Sequence, residues 1–153
     1  MFLRVYIVII ITYICNINSK IVLMETRVTS NRITELKPNE IFVFGSNLEG
    51  AHGGGAALLA WRKWGAIWGQ GTGLQGQSYG IPTMHGGPAA IKPYVDEFIR
   101  FAKEHPDTDF LVTEIGCGIA GFKPAEIAPL FEAAVDVPNI YLPQRFWDVL
   151  EAK

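Results

Sequence analysis

Hydrophobic positions in this chain form short uninterrupted runs, separated by longer segments with helical spacing. The run "IFVF" at 41–44 is apolar at every residue, which is typical of a strand buried on both faces of a parallel or mixed sheet. The stretch 26–36 alternates apolar and polar residues, which favours one or two edge strands. Three further strands are predicted at 78–82, 109–116 and 139–143.

Helical spacing dominates the segments between these strands. The segment 54–66 places Ala57 and Ala60 on one face of a helix. The four tryptophans are interpreted as core residues: Trp61, Trp64, Trp68 and Trp147. The first three of them share one helical face if the helix continues past Gly65. The segment 92–105, with Pro93 in its first turn, carries one apolar stripe of Val95, Phe98, Ile99 and Ala102.

Two more helices complete the alternation of strands and helices. One covers 124–135, where Pro129 either kinks the helix or delays its start, and the other covers 144–153. The order of elements predicts an α/β fold in one domain, a three-layer α/β/α sandwich with a mixed sheet.

A hydrophobic segment, 1–23, precedes the predicted domain at 24–153. Its apolar core, 5–15, is shorter than the roughly 20 residues that span a bilayer. It is consistent with a signal peptide whose charged region is Arg4, but no small-x-small cleavage site follows. Two other interpretations are a start at Met24, with the preceding codons an over-extended reading frame, and a buried strand. We therefore expect a cytoplasmic protein, or an anchored or exported one if this segment is real.

Charge and cysteine content narrow the classes of partner. The 153-residue chain has a formal net charge of −2 at pH 7 and no basic cluster, so the electrostatic signature of a nucleic-acid binder is missing. Cys15 and Cys117 lack the short spacing of a zinc site or a disulfide framework. We predict no nucleic-acid partner, no metal and no cofactor, and the oligomeric state stays open.

Three glycine-rich polar loops lie next to predicted strands, at 45–55, 69–77 and 116–123. Glycine lets backbone N–H groups approach a ligand closely, and a helix N-terminus adds free donors. Loops 45–55 and 116–123 each lead into a helix, so together they suit a diphosphate. The Walker pattern is missing, and "GTGLQG" at 71–76 follows a helix instead of a strand, which excludes the dinucleotide fingerprint.

Three motifs in order resemble the macrodomain family, the ADP-ribose-binding α/β modules. "FGSN" followed by "GGGA" is similar to the family's first loop, "GQGTGLQGQSYGIPT" to its middle segment, and "GCGIAGFKP" to its second loop with one residue inserted. The resemblance covers about 26–143, and within the family it is strongest to a small phage and bacterial group.

This resemblance implies binding of ADP-ribose or a related NAD-derived nucleotide. The amide of Asn47 would bond the distal ribose, backbone N–H groups of the glycine loops would hold the diphosphate, and 73–75 would edge the ribose pocket. The implied ligand-binding residues are Ser46, Asn47, Gly53, Gly54, Gly55, Ala56, Gly73, Leu74, Gln75, Gly116, Cys117, Gly118, Ile119, Ala120, Gly121, Phe122 and Lys123.

The chain also departs from the family pattern. No acidic residue stands near Asn31–Arg32, where many members contact the adenine amino group. Ala57 occupies the position of an Asp found in many hydrolytic members. Ala120 replaces an aromatic residue that often packs on the distal ribose, and Phe122 offers a ring two residues later.

An alternative function is hydrolysis of an ADP-ribosyl bond on a protein, nucleic acid or metabolite, and another is a membrane-tethered nucleotide sensor. The candidate bases are His52, because histidine is the side-chain type most often used as a base in catalysis, and Glu114, at the end of an apolar strand. Glu114 would pair with Lys123 or His52 if it is not itself the base. Asn47 and Cys117 also have structural interpretations, one closing its own turn and the other being small enough to fit.

Overall fold

The computed structural model describes the backbone of residues 2–152 and the side chains of residues 3–21 and 27–152. Met1 and Lys153, which belong to the predicted terminal segments, lie outside the described residues. The described chain has six strands: β1 (Val28–Thr29), β2 (Glu40–Ser46), β3 (Gly73–Gln75), β4 (Ser78–Pro82), β5 (Asp109–Val112) and β6 (Ile140–Pro143). Its α-helices are α1 (Phe2–Thr26), α2 (Gly55–Lys63), α3 (Pro88–Glu104), α4 (Pro124–Ile127) and α5 (Gln144–Glu151).

The strands form one mixed sheet in the order β1-β6-β5-β2-β4-β3. All neighbours are parallel except β3, which is antiparallel to β4. Central β2 is in register with both neighbours, Phe42 opposite Ser78 of β4 and Leu111 of β5. The chain leaves β2 towards β4 and leaves β5 towards β6, so the strand order reverses between β2 and β5. In open α/β sheets, ligands bind outside the carboxyl ends of the strands at such a reversal.

Helices cover both faces of the sheet, which confirms the α/β/α prediction. On one face, α2 packs against β2 through Phe42, Phe44, Ala57, Ala60 and Trp64. On the other face lies the larger core, where the predicted stripe of α3 is buried together with the 3-10 helix Ala128–Ala134 and α5.

Some element boundaries differ from those predicted. Helix α3 begins at Pro88, so Pro93 lies inside the helix and not in its first turn. The predicted helix 124–135 is a short α4 that continues as the 3-10 helix, with Pro129 at the start of the tighter segment. Strand β3 was not predicted, because its three residues include Gly73 and the two side chains that remain give no alternation to detect.

The prediction that all four tryptophans are core residues is correct for Trp64 and Trp147 and wrong for the other two. Helix α2 ends at Lys63, so its face does not extend to Trp68. Trp61 and Trp68 are 44% and 54% exposed, and their rings meet edge to face at 5.3 Å. Both rings therefore lie on the protein surface, on the side of the sheet that α2 covers.

The N-terminal segment is a long exposed helix, so the buried-strand interpretation is wrong. Within α1, Leu3–Ile21 is long and apolar enough to cross a membrane by length and composition alone. The side chains of 3–21 are exposed, and Lys20 forms an exposed ion pair of 3.3 Å with Asp136. A signal sequence near an N-terminus satisfies the same length and composition criteria.

Candidate functional site

A cleft lies at the carboxyl edge of the sheet, where β2 and β5 end. Its first cavity, of about 210 Å³, is bounded by the loop after β2, the start of α2 and the loop after β5. The lining includes most of the glycine-loop residues predicted from the sequence: Ser46, Asn47, Gly54, Gly55, Ala56, Gly116, Gly118, Ile119 and Ala120. The sequence therefore located both walls of this cavity.

A second and larger cavity, of about 630 Å³, adjoins the first. The two cavities share four lining residues, Ala56, Thr113, Glu114 and Gly118. The far wall of the second cavity comes from the end of β1 and the residues after it, together with α5, through Thr29, Ser30, Asn31, Arg32, Pro143 and Arg145. Its volume lies within the range of about 300–1,000 Å³ that is typical of ligand pockets.

The N-terminus of α2 forms one wall of the first cavity with bare backbone. The residue that caps this helix, Gly54, is extended and supplies no side-chain hydrogen bond. The first backbone N–H groups of a helix have no acceptor within it, which leaves those of Gly55, Ala56 and Ala57 available. Gly55 has φ +56°, a left-handed conformation that side chains rarely adopt. These donors and the helix dipole favour an anion at this point.

The loop after β5 faces this helix start. Its turn is closed by hydrogen bonds from the N–H of Phe122 to the carbonyl of Gly116 (2.9 Å) and from Gly121 to Gly118 (3.0 Å). The side chain of Ile119 is 75% exposed and reaches across to α2, so that a Cβ added to Gly54 would lie 3.2 Å from its Cδ1. Ile119 therefore marks the mouth of the first cavity.

The two polar residues at the end of β2, Ser46 and Asn47, both form hydrogen bonds within the protein. The amide of Asn47 donates to the carbonyl of Ala51 (2.9 Å) and accepts from its N–H (2.8 Å), which closes the loop after β2. The hydroxyl of Ser46 donates to the carbonyl of Gly71. The Asn47 amide keeps a second N–H and a second lone pair, so its predicted contact with a ribose stays a prediction.

His52 lies beneath the cleft and is not among the residues that line it. Its side chain is fully buried, its Nε2 lies 2.9 Å from the carbonyl of Ile67, and its ring meets Phe44 edge to face at 5.3 Å. This placement favours a structural role over the predicted role as a base. His85 is likewise held locally, with Nε2 3.1 Å from the carbonyl of Ala90.

Glu114 lies where the two cavities join. Its side chain is 30% exposed and forms an ion pair of 3.1 Å with Arg145, a residue of α5. In the structure Glu114 pairs with neither Lys123 nor His52, because α5 brings Arg145 to this point instead. Lys123 is exposed, and its backbone N–H donates to Glu126 at the start of α4 (2.8 Å). It lies outside the linings of both cavities.

Cys117 lines the second cavity but is not an activated nucleophile. Burial raises the pKa of its thiol to about 11, and the carboxylate of Glu114 adds to this effect. A thiol with such a pKa is protonated at neutral pH. The structure therefore favours the interpretation of Cys117 as a small residue that fits its loop.

The segment 73–75, predicted to edge the ribose pocket, lines neither cavity. These residues are β3, where Leu74 is exposed and the amide of Gln75 is buried. That amide accepts from the N–H of Ile67 (2.8 Å) and donates to the carbonyl of Gln70 (3.1 Å). Gly53, Gly121 and Phe122 also lie outside the linings, and Phe122 packs against the larger core.

Sequence reasoning missed several residues of the cleft. Thr83 and Thr113 each follow a parallel strand, so the rule that strand ends meet at one edge would have found them. Thr29 was hidden because β1 has only two residues. Arg145 lies 31 residues after Glu114 in the sequence, and no sequence pattern indicated that the two residues would meet.

Comparisons with known proteins return no relative. The sequence matches no family model, and no match was found among the curated proteins or the solved structures. The fold and the site therefore rest on the sequence and the geometry of this chain.

Proposed function

We propose that this chain binds ADP-ribose or a related NAD-derived nucleotide in the cleft at the carboxyl edge of the sheet. The observation that supports this most is the meeting of two glycine loops with the uncapped N-terminus of α2 around the first cavity. The second cavity continues from it and provides room for the nucleoside half of an elongated ligand. The macrodomain resemblance of the same loops supports the same ligand class.

In this proposal each half of the ligand has its own cavity. The diphosphate lies against the N–H groups of Gly55 and Ala56 and the backbone of Gly118, in the first cavity. The charges there do not oppose this arrangement, because Glu114 is the one acidic residue in the described lining and Arg145 neutralises it. The distal ribose lies near Asn47, and the nucleoside extends along Thr113 into the second cavity.

A charge change at Ile119 tests the proposal directly. Calorimetric titration with ADP-ribose, NAD and AMP is carried out on the native chain and on Ile119→Asp and Ile119→Asn. Because Ile119 is exposed at the cavity mouth, both variants should fold, and they differ only in a negative charge. We expect Ile119→Asp to lose about tenfold or more in affinity for ADP-ribose, since a like charge opposes the diphosphate.

The matched neutral variant gives the control. Ile119→Asn should stay within about threefold of the native affinity, because it adds no charge. The absence of binding by any of the nucleotides to the native chain would overturn the proposal. Equal losses in the two Ile119 variants would place the diphosphate elsewhere.

A second candidate function is hydrolysis of an ADP-ribosyl bond, and the position of Glu114 favours it. Its carboxylate borders both cavities, where it would activate a water beside a bound nucleotide. Glu114→Gln should then abolish release of ADP-ribose from a modified protein while nucleotide affinity is retained. Turnover that is equal in the native and Glu114→Gln chains would exclude Glu114 as the base.

A further inference from the structure

The second cavity is lined by polar groups that suit an anion and not only a neutral base. Thr29 is 3% exposed, and its hydroxyl is one of three buried side-chain polar atoms in the described chain without a hydrogen-bond partner. A buried hydroxyl without a partner is unfavourable, and native proteins rarely leave one. Thr29 lines this cavity, so a ligand oxygen that reached its hydroxyl would supply the missing partner.

Two arginines line the same cavity, and one of them has no ion-pair partner among the described side chains. Arg145 is paired with Glu114 through Nη1, which leaves its other N–H donors free. Arg32 forms no ion pair with the side chains that the structure describes, at 3–21 and 27–152, although Glu35 lines a neighbouring groove beside it. With two arginines and one glutamate in its described lining, the cavity carries a net positive charge.

We infer that the second cavity binds a phosphate group carried on the nucleoside half of the ligand. The inference rests on the proposed function and narrows its substrate class, from ADP-ribose to a phosphorylated form. Guanidinium groups bind phosphate oxygens through paired N–H donors, and the hydroxyl of Thr29 adds a further donor.

The test compares two ligands that differ by one phosphate. Titrations use ADP-ribose and ADP-ribose that carries a 2′-phosphate on its adenosine ribose, with the full native chain. We expect the phosphorylated ligand to bind about tenfold more tightly or better, because it gains charge-assisted hydrogen bonds. In Arg32→Gln, that preference should disappear while affinity for ADP-ribose stays within about threefold.

Two further variants separate the cavity from general charge effects. Arg62→Gln removes a positive charge from the end of α2, outside both cavity linings, and should leave the preference unchanged. Thr29→Val keeps the shape of the side chain and removes the hydroxyl, so it should weaken the phosphorylated ligand more than ADP-ribose.

The outcomes distinguish this inference from the proposed function. Equal affinities for the two ligands in the native chain, with ADP-ribose bound, would overturn the phosphate site and leave the proposed function in place. A preference that persists in Arg32→Gln would also overturn it. Failure of both ligands to bind would overturn the proposed function and this inference with it.

Discussion

Burial decides the chemistry of Cys117, which sequence alone left open between a nucleophile and a small loop residue. Its thiol lies in the wall of the second cavity next to Glu114, and burial and that carboxylate both disfavour the thiolate. The sequence shows a cysteine between two glycines. The cavity in which this cysteine lies is formed by residues distant in the sequence, such as Thr29 of β1 and Arg145 of α5. Only the structure therefore indicates that the thiol is protonated.

The reactivity of Cys117 should follow this raised pKa. In Cys15→Ser, alkylation by iodoacetamide should rise towards pH 11 rather than pH 9, the ordinary value. At pH 9 only about one thiol in a hundred is ionised when the pKa is 11. The same chain unfolded in guanidinium chloride is the control, and an alkylation profile equal to it would contradict the prediction.

The same shift sets a pH dependence of stability. Because the pKa of the Cys117 thiol is raised in the folded state, its contribution to the free energy of unfolding is fully present below pH 9. That contribution is lost as the pH rises towards 11. In that window the unfolded chain releases a proton that the folded chain retains.

For His52, the sequence indicated a possible chemical role but not the orientation of the side chain. A histidine before three glycines has the chemistry of a base, but chemistry does not reveal which way the ring turns. Here the ring fills space between Phe44 and Trp68, so a base that was plausible from its loop is in fact a buried residue. Its neighbour Asn47, by contrast, lines the cavity as the strand-end rule predicted.

Among the elements, the predictions are confirmed where burial continues along the whole segment, whereas the strand predicted at 109–116 ends at Val112 because the chain turns there, with the N–H of Cys117 donating to the carbonyl of Glu114 (3.2 Å). Strand β4 and the buried stripe of α3 match their predictions because burial imposes the pattern. The two-residue β1 and three-residue β3 carry no period, and their place in the sheet comes from tertiary pairing. The carboxyl-edge position of the glycine loops follows from the strand order, so both walls of the first cavity were predictable.

The glycines of 69–77 have a different role from those of the cleft. A Cβ added to Gly71 would lie 2.1 Å from the carbonyl oxygen of Asn47, and one added to Gly50 would lie 2.3 Å from the N of Gln70. Backbone thus packs on backbone, and this contact supports the loop after β2. The middle glycine segment shapes the cleft from behind without lining it.

Gly71→Ala should therefore destabilise the domain. The added Cβ meets main-chain atoms that cannot move aside, so we expect a loss of about 2–3 kcal/mol in the free energy of unfolding, measured with urea. Gly118→Ala is the matched control, because no atom lies within 4 Å of its added Cβ. Equal stabilities of the two variants would show that the backbone contact at Gly71 is not tight.

At the scale of the whole molecule, α1 and the cleft lie at opposite edges of the sheet. Helix α1 runs directly into the amino end of β1, whereas the cleft is formed where β1, β2, β5 and β6 end. Because these strands are parallel, their amino ends share one edge and their carboxyl ends the other. If α1 crosses a membrane, this topology places the cleft at the edge of the sheet that lies away from α1.

This separation predicts that the domain is independent of α1. Residues 24–153 should unfold within about 4 °C of the full chain in calorimetry, since an exposed ion pair contributes at most about 1 kcal/mol. Lys20→Gln in the full chain removes only the ion pair with Asp136. The fall in melting temperature of this variant therefore gives the largest change that loss of the ion pair should cause on truncation. Nucleotide affinity should be the same in the truncated and full chains, because none of the described side chains of α1, at 3–21, lines either cavity. A larger fall in melting temperature than Lys20→Gln produces, or a loss of affinity on truncation, would mean that α1 packs as part of the domain.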